Sequence, residues 1–267
     1  AARLLTVSAE TGAAAFVDGY AAPGPLHVLR GDGSSIDVVV GLRGGSAPLG
    51  AVFFADASSL AAVDGSGVLW RIDAGAGTSA VLSTGTDGLV YGITLDVLAD
   101  GRILGAQVGS TAVPLPSRVV AIDPARGRVD VLTDAGTAYQ PTALDDGSIA
   151  YFVSNDDGST ALRRIAGRTD LLVLELGDTV TVDVSRDGNH VAVERGDGSV
   201  DLVAVDGSAV VSLGRGARPR FAPTSDRLIV LDVDRGVTRA VDLDGTELTR
   251  LPTPFAAWVE CPEGCAP

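Results

Sequence analysis

Two stretches near the C-terminus decide the fold: residues 181–214 read TVDVSRDGNHVAVERGDGSVDLVAVDGSAVVSLG, and residues 219–252 read PRFAPTSDRLIVLDVDRGVTRAVDLDGTELTRLP. Each contains four short apolar runs separated by turns rich in Asp and Gly, which predicts four antiparallel strands. Eleven Asp-Gly pairs occur along the whole chain. Asp-Gly between apolar runs favours a type I′ hairpin turn, in which both central residues have positive φ. Helical periodicity is almost absent, so we predict an all-β fold.

The four-strand unit recurs along the chain. We predict a β-propeller of six four-stranded antiparallel blades, because a spacing of about 40 residues is typical of one blade. Seven blades, the last incomplete, are the alternative, and a β-sandwich or a solenoid is a further one. The turns that follow the first strand of each unit fall at Gly12, Ser59, Gly101, Gly147, Gly188, Arg227 and Gly264.

The chain of 267 residues is predicted to be a single propeller domain, residues 1–267, closed by joining its N- and C-terminal segments. An unclosed propeller would expose blade edges. We therefore expect the C-terminal run FAAWVECPEG (255–264) to add a strand to the blade that begins with the N-terminal runs AAAFVDG, PLHVLRGD and SIDVVVG. The run RLLTVSAE (3–10) then has no assigned place.

Composition excludes several classes of function. The net charge of −14 argues against nucleic acid, whose phosphates require a basic surface. The apolar runs are too short to cross a bilayer, so no membrane insertion is expected. All 20 basic residues are Arg, which excludes Schiff-base and P-loop lysine chemistry. The chain is therefore predicted to be an acidic globular protein, and we expect a monomer.

Two features indicate an oxidising, extracytoplasmic location, either the periplasm or the cell surface. Ala1 and Ala2 suit the small-residue end of a signal-peptidase site, so we expect a processed secreted precursor, with an excised ectodomain as the alternative. Cys261 and Cys265 are predicted to form a local disulfide around a Pro-Gly loop. Free thiols are the alternative.

A family resemblance is carried by the stretch FAPTSDRLIVLDVDRGVTRAVDLDG (221–245). Its Phe221, Pro223 and Asp226 resemble the TolB-type propeller repeat, although Arg227 stands where Gly is usual. The stretch VDVSRDGNHVAVERGDGSVDLVAVDG (182–207) resembles the repeat more loosely, without the aromatic residue or the Pro. The match covers two units well and the other units only by spacing. The resemblance implies a periplasmic or secreted propeller used for protein contacts, and it brings no catalytic residues with it.

Signals for metal binding or catalysis are weak. The loops DVDRG at Asp232 and DLDGTE at Asp242 carry alternating carboxylates, but their twelfth positions are Leu243 and Thr253, not the Glu of an EF-hand. We predict turns there and no cofactor, with calcium bridging neighbouring loops as the alternative. An enzyme would need His27 or His190 to face the propeller channel beside a carboxylate, and nothing in their spacing supports this. No catalytic or metal-binding residue is therefore assigned.

Candidate ligand contacts are the residues that enter the innermost strands. Two arginines that bracket Pro219 in an acidic protein suit a carboxylate, which Arg binds bidentately. In the alternative interpretation the tyrosines fill inter-blade space and the arginines neutralise acidic neighbours. The candidates are Tyr91, Tyr139, Gln140, Arg218, Arg220, Phe255 and Trp258.

We predict an extracytoplasmic, non-catalytic binding module that recognises a protein, a peptide or a small acidic ligand at the mouth of the propeller channel. One alternative is a secreted lyase or hydrolase that uses a channel histidine with a carboxylate. A second is a structural ectodomain of a larger surface assembly, which would show a wide apolar patch on one face.

Overall fold

The computed structural model describes residues 2–7, 13–18, 26–30, 34–38, 48–54, 58–85, 89–109, 117–133, 136–222 and 224–252. Within these ranges the chain contains strands and turns and no helix. The strands form six four-stranded antiparallel sheets, which are the blades of a β-propeller. The all-β class and the six blades are confirmed, and the seven-blade, sandwich and solenoid alternatives are wrong. None of the described segments is a helix long and apolar enough to cross a membrane.

The chain divides into two compact units, one of Ala1–Pro141 with Val259–Pro267 and the other of Thr142–Trp258. The first unit contains three complete blades, whose strands are β1 (Ala2–Val7), β2 (Ala14–Asp18), β3 (Leu26–Leu29), β4 (Ser35–Val38), β5 (Gly50–Phe53), β6 (Ser59–Val63), β7 (Leu69–Asp73), β8 (Thr78–Ser83), β9 (Leu89–Val97), β10 (Ile103–Gly109), β11 (Ser117–Ile122) and β12 (Val129–Val131).

The fourth blade begins with β13 (Ala138–Ala143), in which the division between the two units falls. The second unit contains the rest of that blade and two complete ones, whose strands are β14 (Ile149–Ser154), β15 (Thr160–Ala166), β16 (Thr169–Gly177), β17 (Thr181–Val184), β18 (His190–Glu194), β19 (Ser199–Ala204), β20 (Val210–Arg215), β21 (Ala217–Phe221), β22 (Arg227–Asp232), β23 (Val237–Asp242) and β24 (Glu247–Leu251).

In every blade the strands lie side by side in chain order. The first strands of neighbouring blades contact one another within each unit: β1 contacts β5, β5 contacts β9, and β17 contacts β21. These first strands are therefore the innermost strands of their blades. Five of the seven residues proposed from the sequence as ligand contacts lie on such first strands.

The core lies between neighbouring blades, and β6 shows why its residues form a continuous apolar run. Leu60 and Ala62 pack toward the first blade, whereas Ala61 and Val63 pack toward the third. Successive side chains of a strand point to opposite faces, and both faces of this strand are covered. In the second unit, Ala192 and Leu228 belong to one cluster between the fifth and sixth blades.

Residues 3–7 of the N-terminal run that had no assigned place belong to β1, the innermost strand of the first blade. Arg3 pairs with Val17 and Val7 with Ala14, so β1 completes a four-stranded sheet formed within the first 38 residues. The C-terminal run predicted to add a strand to this blade lies outside the described residues, as do Cys261 and Cys265. Closure of the domain by joined termini stays a prediction.

The Asp-Gly hairpins are present, but the predicted type I′ geometry is wrong. At Asp146-Gly147 the amide of Gly147 donates to the carbonyl of Leu144, and Gly147 has a φ of 80°. Among the described residues no Asp has a positive φ. The turn is therefore a type I turn followed by a left-handed Gly, as in three-residue hairpin loops. The Gly supplies the left-handed residue, and the Asp side chain closes the loop instead of adopting strained backbone.

Candidate functional site

The structure places the described candidates on the innermost strands of the third, fourth and sixth blades. Tyr91 lies on β9, and Tyr139 and Gln140 lie on β13, so all three belong to the first unit. Arg218 and Arg220 lie together on β21 in the second unit. The remaining candidates, Phe255 and Trp258, lie outside the described residues.

Tyr91 belongs to the core between the second and third blades. Its side chain is 2% exposed and packs with Ala61, Leu69 and Ile103. Its hydroxyl lies 2.6 Å from the Oγ of Ser83. Burial raises the pKa of Tyr91, although the hydrogen bond with Ser83 opposes the shift. This geometry agrees with the interpretation in which the tyrosine fills inter-blade space.

Gln140 and Arg218 share an unusual backbone conformation in the fourth and sixth blades. Each has a φ of 51°, and each directly precedes a buried proline, Pro141 or Pro219. Left-handed backbone is uncommon outside Gly, and it persists where surrounding contacts hold it. Gln140 is half-buried, whereas Arg218 is exposed. Of the two, Arg218 therefore presents the more accessible side chain.

Glu194 holds the backbone of Arg218 in this conformation. The Oε2 atom of Glu194 accepts a hydrogen bond from the Arg218 amide at 2.9 Å and another from the Thr181 hydroxyl at 2.7 Å. The ladder between β21 and β22 shifts register between Ala217 and Arg220, so Arg218 lies in a bulge. Within the described part of the chain no hydrogen bond or ion pair reaches the Arg218 guanidinium.

Arg220 is held more closely by its own blade and the fifth one. Its Nη1 atom lies 3.7 Å from the Oδ1 atom of Asp183 and donates to the carbonyls of Val182 and Pro219 at 3.4 Å. The Oδ2 atom of Asp183 accepts from the amide of Phe221 at 2.8 Å. Burial raises the pKa of Asp183, and the Arg220 charge opposes this shift. Half of the Arg220 side chain remains exposed.

Local charge makes Arg218 different from most described arginines. Arg195, for example, pairs with Asp201 at 3.1 Å, and Arg235 pairs with Asp232 at 2.9 Å. Arg218 has a fixed positive charge, because guanidinium does not lose its proton in proteins. The chain has a net charge of −14. The exposed Arg218 guanidinium is therefore a local positive charge on an otherwise acidic protein, at the innermost strands of the fifth and sixth blades.

Glu194 and Asp183 are the site residues that sequence reasoning missed. A signal for Asp183 was available in the repeat. Asp183 lies two residues before Ser185, the first residue of the hairpin turn in the fifth unit. Arg220 lies two residues before Ala222, the first residue of the corresponding turn in the sixth unit. Aligning the fifth and sixth units therefore places opposite charges at equivalent positions. No such signal exists for Glu194, which ends β18 and reaches Arg218 from another blade.

The two histidines do not lie on innermost strands. His27 is on β3, the third strand of the first blade, and His190 is on β18, the second strand of the fifth. The Nδ1 atom of His190 is buried without a hydrogen-bond partner. This placement does not supply the innermost-strand histidine that the enzyme hypothesis requires.

The carboxylates of the candidate calcium loops are used inside their own turns. The Oδ2 atom of Asp232 accepts from Arg235 at 2.9 Å, and the Oδ1 atom of Asp242 accepts from the amide of Thr246 at 2.8 Å. Across the described ranges, no group of three or more His, Cys, Asp or Glu side chains could hold a metal ion.

Comparison with solved structures identifies the same class of fold. Residues covering 94% of the chain superpose on TolB from Acinetobacter baumannii with a TM-score of 0.62 and 18% identity. The chain spans only 63% of the length of that TolB chain. The TolB-like β-propeller fold expected from the sequence is therefore confirmed.

Solved structures of other proteins have comparable TM-scores to this chain. A chain of a nidogen/laminin complex matches 86% of this chain and 91% of its own length, with a TM-score of 0.59 and 13% identity. Hydrazine synthase from Kuenenia stuttgartiensis matches 94% of this chain and 86% of its own length, with a TM-score of 0.65 and 14% identity. No protein-family model matches the chain, and no curated protein matches it. At these identities the likeness shows the fold alone, which is shared by binding modules and enzymes.

Proposed function

We propose that this chain is an extracytoplasmic, non-catalytic binding module that recognises a carboxylate of a protein or peptide partner at Arg218 and Arg220. The observation that carries the proposal is the exposed Arg218 guanidinium. Glu194 holds its backbone in a left-handed conformation, and the guanidinium makes no ion pair within the described residues. A planar guanidinium with free N–H groups binds a carboxylate through two parallel hydrogen bonds.

The geometry supports binding in two ways. The backbone of Arg218 is fixed by Glu194 and by the following Pro219, so less conformational freedom is lost when a ligand binds. Arg220 is restrained by Asp183 and two carbonyls but stays half-exposed, and it supplies a second donor on the same strand.

Two resemblances support a binding role. One similar solved structure is a complex of nidogen with laminin, in which a propeller fold takes part in a protein–protein assembly. The TolB-type resemblance implies protein contacts and an extracytoplasmic location. The enzyme alternative gains no support from the site, because neither histidine lies on an innermost strand. We expect the module to act as a monomer.

The experiment that tests this function is fluorescence anisotropy with a labelled deca-glutamate peptide and a deca-glutamine peptide as the neutral probe. We expect only the acidic peptide to bind, and we expect Arg218→Gln to weaken its binding about tenfold, the effect of one charge-assisted hydrogen bond. Higher salt should weaken binding further.

Arg168→Gln is the matched control, because Arg168 is an exposed arginine in the turn between β15 and β16 of the same unit. This variant has the same net charge as Arg218→Gln and should bind the acidic peptide like the native protein. Equal losses for the two variants would mean that the peptide responds only to overall charge. Unchanged binding by Arg218→Gln would refute the proposal.

A further inference from the structure

An exposed aliphatic residue is hydrogen-bonded to Glu194, the residue that holds Arg218. Val180 directly precedes β17 and is 58% exposed, which is high for a valine beside an innermost strand. Its amide donates a 2.8 Å hydrogen bond to the carbonyl of Glu194. The carboxylate of the same Glu194 accepts from the amide of Arg218. One residue, Glu194, thus binds the backbone amides of both Val180 and Arg218, so an exposed aliphatic residue and an exposed cationic residue are anchored on the same Glu.

Other strongly exposed aliphatic residues of this unit lie in other settings. Val233 is 63% exposed in the turn between β22 and β23. Val210 is 62% exposed on β20, and Leu171 and Leu172 are about half exposed on β16. Both strands are the outermost strands of their blades. Exposed single aliphatic residues at such edges are ordinary features of protein surfaces. Val180 is distinguished by its contact with the residue that holds an unpaired arginine.

We propose, on the basis of the carboxylate-binding function above, that this site takes the C-terminal residue of a peptide with an aliphatic last side chain. The terminal carboxylate binds the Arg218 guanidinium, and the side chain packs on Val180. A C-terminal residue carries its carboxylate and its side chain on one Cα, so both reach neighbouring groups together. In an extended internal segment, adjacent side chains point to opposite sides, so an internal acidic residue would not pair with its aliphatic neighbour here.

The charge around the site fits one terminal carboxylate. Glu194 directs its Oε2 atom at two donors, the Thr181 hydroxyl and the Arg218 amide. Its negative charge disfavours a second acidic group close to Arg218, because like charges at short range repel. A single terminal carboxylate with an apolar side chain brings one negative charge instead of two and can cover the exposed part of Val180.

Three small probes separate the parts of this proposal: N-acetyl-L-leucine, N-acetyl-L-leucinamide and acetate. The first has both the carboxylate and the aliphatic group, the second lacks the carboxylate, and the third lacks the aliphatic group. Each is titrated into the full isotope-labelled chain and followed by NMR. We expect N-acetyl-L-leucine to bind tightest and to shift the signals of Val180, Thr181 and the Arg218 side chain.

Variants identify which side chain recognises which group. Val180→Ser should weaken binding of N-acetyl-L-leucine about fivefold, since it removes an apolar contact, and leave acetate binding unchanged. Val210→Ser is the control for loss of an exposed valine and should change neither. Arg218→Gln should weaken both carboxylate probes, whereas Arg168→Gln should not.

The two proposals fail in distinguishable ways. If acetate binds as tightly as N-acetyl-L-leucine, or if Val180→Ser has no effect, the aliphatic C-terminal residue is refuted while carboxylate recognition by Arg218 stands. If N-acetyl-L-leucinamide binds as tightly as the free acid, the carboxylate has no role in binding this probe and the C-terminal assignment fails. Carboxylate recognition fails as well if Arg218→Gln binds the deca-glutamate peptide like the native protein. If the deca-glutamate peptide binds through Arg218 while N-acetyl-L-leucine does not bind, the partner is an internal acidic segment and only the C-terminal assignment is overturned.

Discussion

At the scale of single residues, the left-handed backbone of Arg218 is the feature that links stability to the proposed function. Arginine in this conformation is strained, because its Cβ crowds the adjacent carbonyl. The fold tolerates this conformation because the Oε2 atom of Glu194 accepts a hydrogen bond from the Arg218 amide. The same oxygen accepts a second hydrogen bond from the Thr181 hydroxyl. Strain held by surrounding contacts is more common at functional positions than elsewhere.

Substitutions at Arg218 should separate strain from binding. Arg218→Gly removes the Cβ at a φ of 51°, so we expect no loss in the free energy of unfolding but loss of carboxylate binding. Arg218→Val should destabilise by about 1–2 kcal/mol, because a β-branched residue fits positive φ poorly. Urea unfolding monitored by circular dichroism gives both values.

The same pair of changes at Arg215 is the control, because Arg215 ends β20 without a positive φ. There the order should reverse, with Gly the more destabilising residue by about 0.5–1 kcal/mol. If Gly is the worse substitution at both positions, the positive φ of Arg218 imposes no strain.

At the scale of elements, the Asp-Gly turns act through a repeated side-chain contact. In all eight Asp-Gly pairs whose two residues the structure describes, an Asp carboxylate oxygen accepts from the amide two residues later, as Asp197 does from Ser199 at 2.9 Å. These bonds favour the ionised form, and the pKa of each of these carboxyls lies below its ordinary value of 3.8.

The shared shift predicts sensitivity to acid. A carboxyl with a lowered pKa in the folded state stabilises the fold above its unfolded pKa, and this stabilisation is lost as the pH falls through the folded value. We therefore expect the free energy of unfolding to be level from pH 7 to about pH 5 and to fall below about pH 4. Urea unfolding at a series of pH values measures this.

Ser199→Ala tests one of these turns, because the Ser199 hydroxyl donates to Asp197 at 2.7 Å. Its destabilisation should be present at pH 7 and should shrink once Asp197 is protonated. Ser212 is an exposed serine on β20 whose hydroxyl makes no contact with a carboxylate among the described residues. Ser212→Ala should therefore show no such pH dependence. A Ser199→Ala effect that persists unchanged at pH 2 would contradict the mechanism.

At the scale of the whole molecule, the proposed location outside the cytoplasm depends on the two cysteines. A disulfide persists in an oxidising compartment and is rare in the cytosol. A disulfide between Cys261 and Cys265 would close a short loop, restrain the C-terminal segment and contribute about 2 kcal/mol or less.

Mass spectrometry after alkylation measures the state of these cysteines in the protein secreted from its native host. We expect no alkylation of the unfolded protein before reduction and two modified cysteines after it. The same protein made in a reducing cytosol is the control and should be alkylated at both without reduction. Alkylation of the secreted protein without reduction would remove this support for an oxidising location.

Several features of the fold could be predicted from local sequence. The alternation of apolar residues sets the strands, and the left-handed Gly found in seven of the eight described Asp-Gly pairs sets the hairpins. Their recurrence sets the number of blades, because one blade is a unit of four locally connected strands. The run at residues 3–10 was left without a place because an isolated strand carries no signal of the sheet that it joins.

The sequence by itself determined the class of fold, the acidic charge and the candidate strand entrances. Only the tertiary structure decided that Tyr91 is core, that the Asp-Gly turns are not type I′, and that Glu194 holds Val180 and Arg218 together. The physical reason is distance along the chain. Glu194 and Arg218 are 24 residues apart and meet only because two blades pack side by side, whereas strands and turns depend on neighbours within a few residues.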